Sequence, residues 1–202
     1  MTTNAGPLIT LVRHGESTWN ELGLIQGHNN TAQLTPRGRD QARGAAESLR
    51  GLGFQALVAS DLDRARETAE TIGAALGLRT TTDPLLRERG FGVLEGQPLS
   101  ELTPSITGID HRIMVNPDAS ATNGESFRDV VARAQLFVKR LLDERPHGRV
   151  IGHRDGGSVV APELAEAPRQ TCTFVERRHQ PRVEPRHLLT ELVYLARFVA
   201  HL

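Results

Sequence analysis

A histidine between an arginine and a glycine stands directly after a short apolar run, in Leu11-Val12-Arg13-His14-Gly15-Glu16-Ser17-Thr18-Trp19-Asn20. Two of these side chains suit chemistry at phosphorus. A neutral imidazole nitrogen is a good nucleophile near neutral pH, because its pKa lies close by. An arginine presents paired N–H donors that match phosphate oxygens. Attack by imidazole would split hydrolysis into two easier displacements, and catalysis would then be mainly positioning and charge stabilisation. Preorganised donors of this kind are worth about 2.7 to 4 kcal/mol each in barrier height. A histidine after a strand is, by itself, more often a capping or hydrogen-bonding residue, and an isolated Arg-His-Gly carries little weight.

The surrounding pattern supplies elements that can position such a group. Leu8 to Val12 is apolar without a helical period and reads as a buried strand. Thr35-Pro36 gives a helix N-cap with proline at the first helical position. Ala42, Ala45, Ala46, Leu49 and Leu52 then keep one apolar stripe, closed by Gly51 and Gly53. Gln55 to Ala59 reads as a second strand, and a helix from about Asp63 buries Ala65, Ala69, Ile72 and Leu76 before stopping at Gly77. Strand, helix, strand, helix predicts an α/β layered domain with a largely parallel sheet. Residues 96–124 are rich in Pro, Ser, Thr, Asn and Gly and predict a lid or a disordered segment. The clearest helix follows, with Phe127, Val130, Val131, Ala134, Phe137, Val138, Leu141 and Leu142 at three-four spacing. Arg149 to Gly152 is a short third strand candidate. Beyond residue 154 prolines interrupt the pattern until an amphipathic stretch, Leu188, Leu192, Leu195 and Val199, which predicts a last helix.

Composition narrows the function classes. The 202 residues suit one domain, and 38% apolar with 24% charged residues is ordinary for a globular protein. Twenty-four basic and 24 acidic residues leave no net charge, so no overall field draws the chain to nucleic acid or an anionic membrane. Lys139 is the single lysine, a bias toward arginine that supplies many bidentate donors although most lie on polar helix faces. Cys172 is alone, which excludes an internal disulfide and a thiolate cluster. Residues 1–7 lack the regions of a signal peptide and no apolar run spans a bilayer, so a cytoplasmic location is expected.

With its neighbours in order, the Arg13-His14-Gly15 segment resembles the histidine phosphatase superfamily, also called the phosphoglycerate mutase-like family. Asn20 and Gln26-Gly27 match its phosphate-approach loop, Leu34-Thr35-Pro36-Arg37-Gly38 the start of its first helix, and Ser60 to Ala69 the segment with its second arginine, Arg64. Arg87-Glu88-Arg89-Gly90 matches the segment with its acid, Glu88, and Gly124-Glu125-Ser126 opens the long helix. The resemblance covers residues 8–153. It implies a three-layer α/β/α sandwich with a mostly parallel central sheet, and ligand binding beyond the carboxyl ends of the strands. It implies His14 as a nucleophile forming a phosphohistidine, Arg13, Arg64 and His153 as phosphate ligands, and Glu88 as the acid and then base. Asn20, Gln26 and Gly27 become substrate-binding residues. No cofactor and no metal are implied.

The second histidine departs from the family pattern. In Gly148-Arg149-Val150-Ile151-Gly152-His153-Arg154-Asp155-Gly156-Gly157 the glycines arrive two residues late, and the strand holds little apolar content for a central parallel strand. Departures also bear on the branch. The mutases carry a tyrosine and then a lysine after the acid and an Arg-Arg pair in the lid, whereas this chain has Phe91, no lysine in Gly96 to Glu101, and only His111-Arg112. A phosphatase acting on a small phosphorylated metabolite is the expected activity. A cofactor-dependent phosphoglycerate mutase and an impaired phosphate-binding pseudophosphatase are the alternatives. His28, Glu95 and the lid are expected to shape the pocket. No nucleic-acid or membrane partner is expected, and the Leu188 to Leu202 stretch either packs on its own sheet or joins a homodimer.

Two readings of the tail stay open: a diverged end that still delivers His153, or a reading frame altered near residue 150. Comparison of the coding DNA in all three frames separates them. A His-Gly motif after an apolar strand in another frame is the outcome that marks an altered frame, and its absence rejects one.

Overall fold

The computed structural model describes residues 8–101, 117–144, 149–154 and 172–175. Five strands form one sheet: β1 (Leu8–Arg13), β2 (Ala56–Ala59), β3 (Thr80–Thr82), β4 (Arg149–Arg154) and β5 (Cys172–Val175). Their order is β3-β2-β4-β1-β5, and every described pairing is parallel. The helices are α1 (Thr18–Glu21), α2 (Pro36–Leu49), α3 (Asp63–Leu76) and α4 (Phe127–Glu144).

Parallel neighbours require crossovers, and right-handed crossovers fix which face each helix covers. From β1 the chain passes through α2 to β2 and through α3 to β3, moving toward one edge throughout. After β3 it turns back through α4 to β4. Reversing direction with the same handedness places α4 on the opposite face from α2 and α3. Side-chain parity agrees. Ile9, Leu11, Ala56 and Val150 pack with Val130, Phe137, Val138 and Leu141 of α4. Val12, Leu57, Ala59 and Ile151 pack with Ala46 and Leu49 of α2 and Ala69 and Ile72 of α3. Alternate strand residues thus feed two cores, and the architecture is the expected three-layer α/β/α sandwich.

The helix boundaries follow local chemistry. Thr35 caps α2 by accepting the Gly38 N–H, with Pro36 in the first turn. Gly77 ends α3 in the left-handed region, where a side chain would be strained. The helix predicted from Phe127 extends to Glu144, two residues past Leu142, the last apolar residue of its stripe. Strand β4 also runs further than the expected Arg149 to Gly152. A Cβ on Gly152 would lie 2.9 Å from Leu11 Cδ2, so β1 fills the space that a larger residue of β4 would need. That neighbour explains the low apolar content of a central strand. Strand β3, Thr80-Thr81-Thr82, lies at the described edge of the sheet with two of its residues exposed, so it has no apolar run to reveal it. Strand β5 was not expected in the tail.

Between residues 96 and 101 the proposed lid begins with order: Leu24 and Pro98 form an isolated bridge, and a 3-10 turn covers Leu99–Glu101. His111-Arg112 and the Leu188 to Val199 stretch lie outside the described residues. Among the described residues no helix is long and apolar enough to cross a membrane.

The turn after β1 is pressed against the start of α2. A Cβ on Gly15 would fall 2.2 Å from the Gly38 carbonyl oxygen, and one on Gly38 would fall 2.0 Å from the Glu16 carbonyl oxygen. Replacing glycine by alanine inside a helix ordinarily gains about 1 kcal/mol. At Gly38 the backbone clash outweighs that gain, and Gly38→Ala is expected to destabilise by about 1 to 3 kcal/mol in urea unfolding. A stabilised variant would show that the two backbones separate freely.

Candidate active site

His14 is the first residue beyond β1, and its side chain is 6% exposed. Its Nδ1–H donates to the Gly15 carbonyl at 2.6 Å, which leaves the lone pair of the neutral ring on Nε2. The Gly15 N–H donates to Thr68 Oγ1 at 3.1 Å, and the Thr68 hydroxyl donates to the Arg64 carbonyl at 2.8 Å. A hydroxyl on α3 therefore holds the backbone beside His14. Arg13 is exposed at the end of β1.

Arg64, in the first turn of α3, is completely buried. Such a charge is tolerated only when its donors are met. Nη1 donates to the Asn29 carbonyl at 2.9 Å, and Nη2 donates to the Gly27 carbonyl at 2.8 Å and to Glu88 Oε2 at 3.3 Å. One guanidinium thus gathers the loop after α1, the helix α3 and the acidic segment. Gly27 has φ of 53°, and a Cβ there would lie 2.2 Å from Glu95 Oε1, so conformation and space both require glycine. Glu95 Oε1 accepts the N–H groups of His28 and Phe91, which ties the Gly27 loop to the strand of chain after Glu88.

Asn20 and Gln26 meet at the buried Ser17. Asn20 Oδ1 accepts the Ser17 N–H at 3.0 Å while Ser17 Oγ accepts the Asn20 N–H, a reciprocal cap on α1. The Ser17 hydroxyl also reaches Gln26 Oε1 at 2.6 Å. His153 is placed by its backbone, between Val12 of β1 and Ala59 of β2. The register sets it level with the residues that lead into His14 and Arg64. The structure joins Arg64, Gly27 and Glu88 directly, links His14 to α3 through Thr68, and pairs Asn20 with Gln26 through Ser17.

Another cluster was not foreseen as functional. Arg133 of α4 gives Nε and Nη2 to the two oxygens of Glu125, at 2.9 and 3.0 Å. Its Nη1 donates to the carbonyls of Leu85 and Arg87, and Nη2 also donates to that of Glu88 at 2.7 Å. The Glu88 carbonyl accepts a second bond, 2.8 Å from His28 Nε2. His28 Nε2 lies 3.5 Å from Glu125 Oε2, which also accepts the Gly90 N–H. A signal existed in the sequence: Arg133 falls three residues after Val130 and four before Phe137, inside the apolar stripe of its helix. Burial pushes the Glu125 carboxyl up, but bonds from His28, Arg133 and Gly90 prevail and hold it at about 2. The bond to Glu125 raises the pKa of His28 against the opposing effect of burial. Burial lowers that of Arg89, whose donors go to the carbonyls of Glu125 and Ala119. Among the described residues no group of three His, Cys, Asp or Glu side chains is placed to hold a metal ion.

These features define a parallel α/β protein in which His14 and Arg64 follow the carboxyl ends of two central strands. The family profile of the histidine phosphatase superfamily (branch 1) matches residues 9–161, and the chain belongs to that superfamily. It is 41% identical over 168 residues to a protein of Enterobacter sp. (strain 638) named "Probable phosphoglycerate mutase GpmB", covering 78% of this chain and 77% of that one. It is 33% identical over 196 residues to fructose-2,6-bisphosphatase TIGAR B of Danio rerio, covering 91% and 75%. Among solved structures it is similar to a mycobacterial glucosyl-3-phosphoglycerate phosphatase in complex with VO3, with a TM-score of 0.67, 31% identity, and coverage of 72% of this chain and 74% of that one.

The lowered carboxyl of Glu125 has a consequence for stability. A group whose pKa is depressed by folding stabilises above its unfolded value, and that contribution disappears as pH falls through the folded value. The stability advantage of the wild type over Glu125→Gln should therefore shrink between pH 4.5 and about 2. At neutral pH it should be on the order of 3 kcal/mol or less. Urea unfolding of both proteins across that range checks this, and a pH-independent difference would reject it.

Proposed function

We propose that the chain is a phosphomonoester hydrolase that works through a phosphohistidine at His14 on a small phosphorylated metabolite. The observation that carries the reading is the bond from His14 Nδ1–H to the Gly15 carbonyl, because it fixes the tautomer whose Nε2 can attack phosphorus. In the first step Nε2 forms a bond to phosphorus and the ester oxygen departs, taking a proton from Glu88. In the second step Glu88 takes a proton from water, which attacks phosphorus and releases His14. Arg13, Arg64 and His153 hold the phosphoryl oxygens, with Asn20, Gln26 and Gly27 lining the approach.

The second reading is a phosphoglycerate mutase, favoured by the likeness to the Enterobacter protein named as one. Residues after Glu88 weigh toward hydrolysis. Phe91 is buried under the Arg89 guanidinium, 5.5 Å from its ring centre, and Arg89 commits donors to main-chain carbonyls. Neither residue is thereby presented to the carboxylate of a small acid. A relative named as a sugar bisphosphatase and a neighbour named as a glucosyl-3-phosphoglycerate phosphatase support a phosphorylated sugar or sugar acid as the substrate class.

Hydrolysis of p-nitrophenyl phosphate in the presence of EDTA tests this. The wild type is expected to turn over, and His14→Ala to lose at least about 1,000-fold in kcat. Equal rates in both proteins would reject the phosphohistidine route. Phosphate or vanadate binding without turnover would favour a binding module, and phosphoglycerate interconversion that needs a bisphosphate primer would favour the mutase.

A further inference from the structure

We propose that Arg133 and Glu125 form a clamp that positions Glu88 for proton transfer, an inference that rests on Glu88 being the acid and base. Arg133 has five N–H donors. Two are spent on Glu125 in a bidentate pair, and the others reach the carbonyls of Leu85, Arg87 and Glu88. Three of the four residues leading up to and including the acid are therefore held by one side chain, which is only 14% exposed. Glu125 completes the grip from the other side of Glu88: its carboxylate accepts the Gly90 N–H, and its own N–H donates to the Gly90 carbonyl at 2.7 Å.

A plainer role would be to dock α4 on the sheet. The distribution of bonds argues against that alone, because α4 is already seated by Val130, Phe137, Val138 and Leu141. The clamp acts on the main chain of residues 85–90, a segment with only a 3-10 turn at Pro84–Leu86 to order it. Arg87, next to the acid, is fixed independently by Asp61 at the start of the β2 to α3 connection, with Nε donating at 2.7 Å. The backbone on both sides of Glu88 is thus held in place, while its carboxylate meets Arg64 Nη2 at 3.3 Å. Charge supports the same assignment. Arg133 and Glu125 carry opposite charges, so the pair itself adds no net charge beside the proton-transferring group. Lysine could not substitute, since an ammonium lacks the planar fork needed to bind a carboxylate and three carbonyls together.

The test uses p-nitrophenyl phosphate in rapid mixing, with Glu88→Gln, Arg133→Lys and the double variant beside the wild type. Its phenolate leaves without much help from an acid, so phosphorylation of His14 continues while dephosphorylation needs the base. Arg133→Lys is expected to keep a burst equal to the enzyme concentration while steady-state kcat falls about 100-fold and KM falls with it, leaving kcat/KM little changed. Adding Arg133→Lys to Glu88→Gln should cost nothing further, because both act through one group. An unchanged kcat, a burst that shrinks in proportion to the rate, or additive losses would overturn the clamp while leaving Glu88 in place. Wild-type turnover by Glu88→Gln would instead overturn the role of Glu88, and the clamp with it. Should Arg133→Lys not fold, Glu125→Gln breaks the charged half of the clamp and leaves the carbonyl bonds. The same burst with a smaller fall in steady-state rate is then expected, and no fall rejects the proposal.

Discussion

A completely buried guanidinium cannot be left to water, and Arg64 meets that demand with the carbonyls of Gly27 and Asn29 and the carboxylate of Glu88. Much of the site's geometry follows from this need. The chain after α1 must approach closely enough to offer two carbonyls, which is possible because Gly27 adopts a positive φ and presents no Cβ to Glu95. The segment carrying Glu88 must reach the same point from beyond β3. Two loops far apart in sequence are drawn to one cation, and that cation sits on a helix whose Thr68 also binds the turn beside His14. Removing any partner would expose a buried charge to an uncompensated field, so these parts are energetically coupled.

Topology supplies the other half of the arrangement. The sheet reverses its direction of growth on passing from β3 to β4, and β4 enters between β2 and β1. The carboxyl ends of β1, β2 and β4 consequently meet at the crevice where open parallel sheets bind ligands. His14, Arg64 and the backbone of His153 arrive from those three ends. The order of strands brings them together, although more than half the chain separates the first from the last in sequence.

The legible parts were those where local pattern and long-range packing agree. Ile9 to Val12 and Ala56 to Ala59 are mostly apolar because both faces of a parallel strand are covered, and Thr35 caps α2 and Gly77 ends α3 as expected. Strand β3 was hidden because threonines at an edge carry no apolar run, and β4 was understated because Leu11 fills the place of a side chain at Gly152. His14, Arg64 and Glu88 could be named because their neighbours resemble a family. Arg133 could not, since its partners are main-chain carbonyls, which leave no mark on residue identity. Its one trace was a charge within an apolar stripe. Asn20 was nameable as a residue, yet only the coordinates show its carbonyl occupied by the cap on α1.

The placement of β1 also bears on how the chain can assemble. Ile9 lies between Val150 and Cys172 in the register, so the strand that leads into His14 takes both its neighbours from segments far later in the sequence. Strands β2 and β3, joined by α3, can pair through a short connection. Pairing across so large a loop is slow, and its entropic cost precedes any gain from contact. During synthesis β1 must therefore wait, apolar and unpaired, until residues 149–154 and 172–175 have emerged. His14 therefore follows a strand whose place in the sheet is completed only when those distant partners arrive.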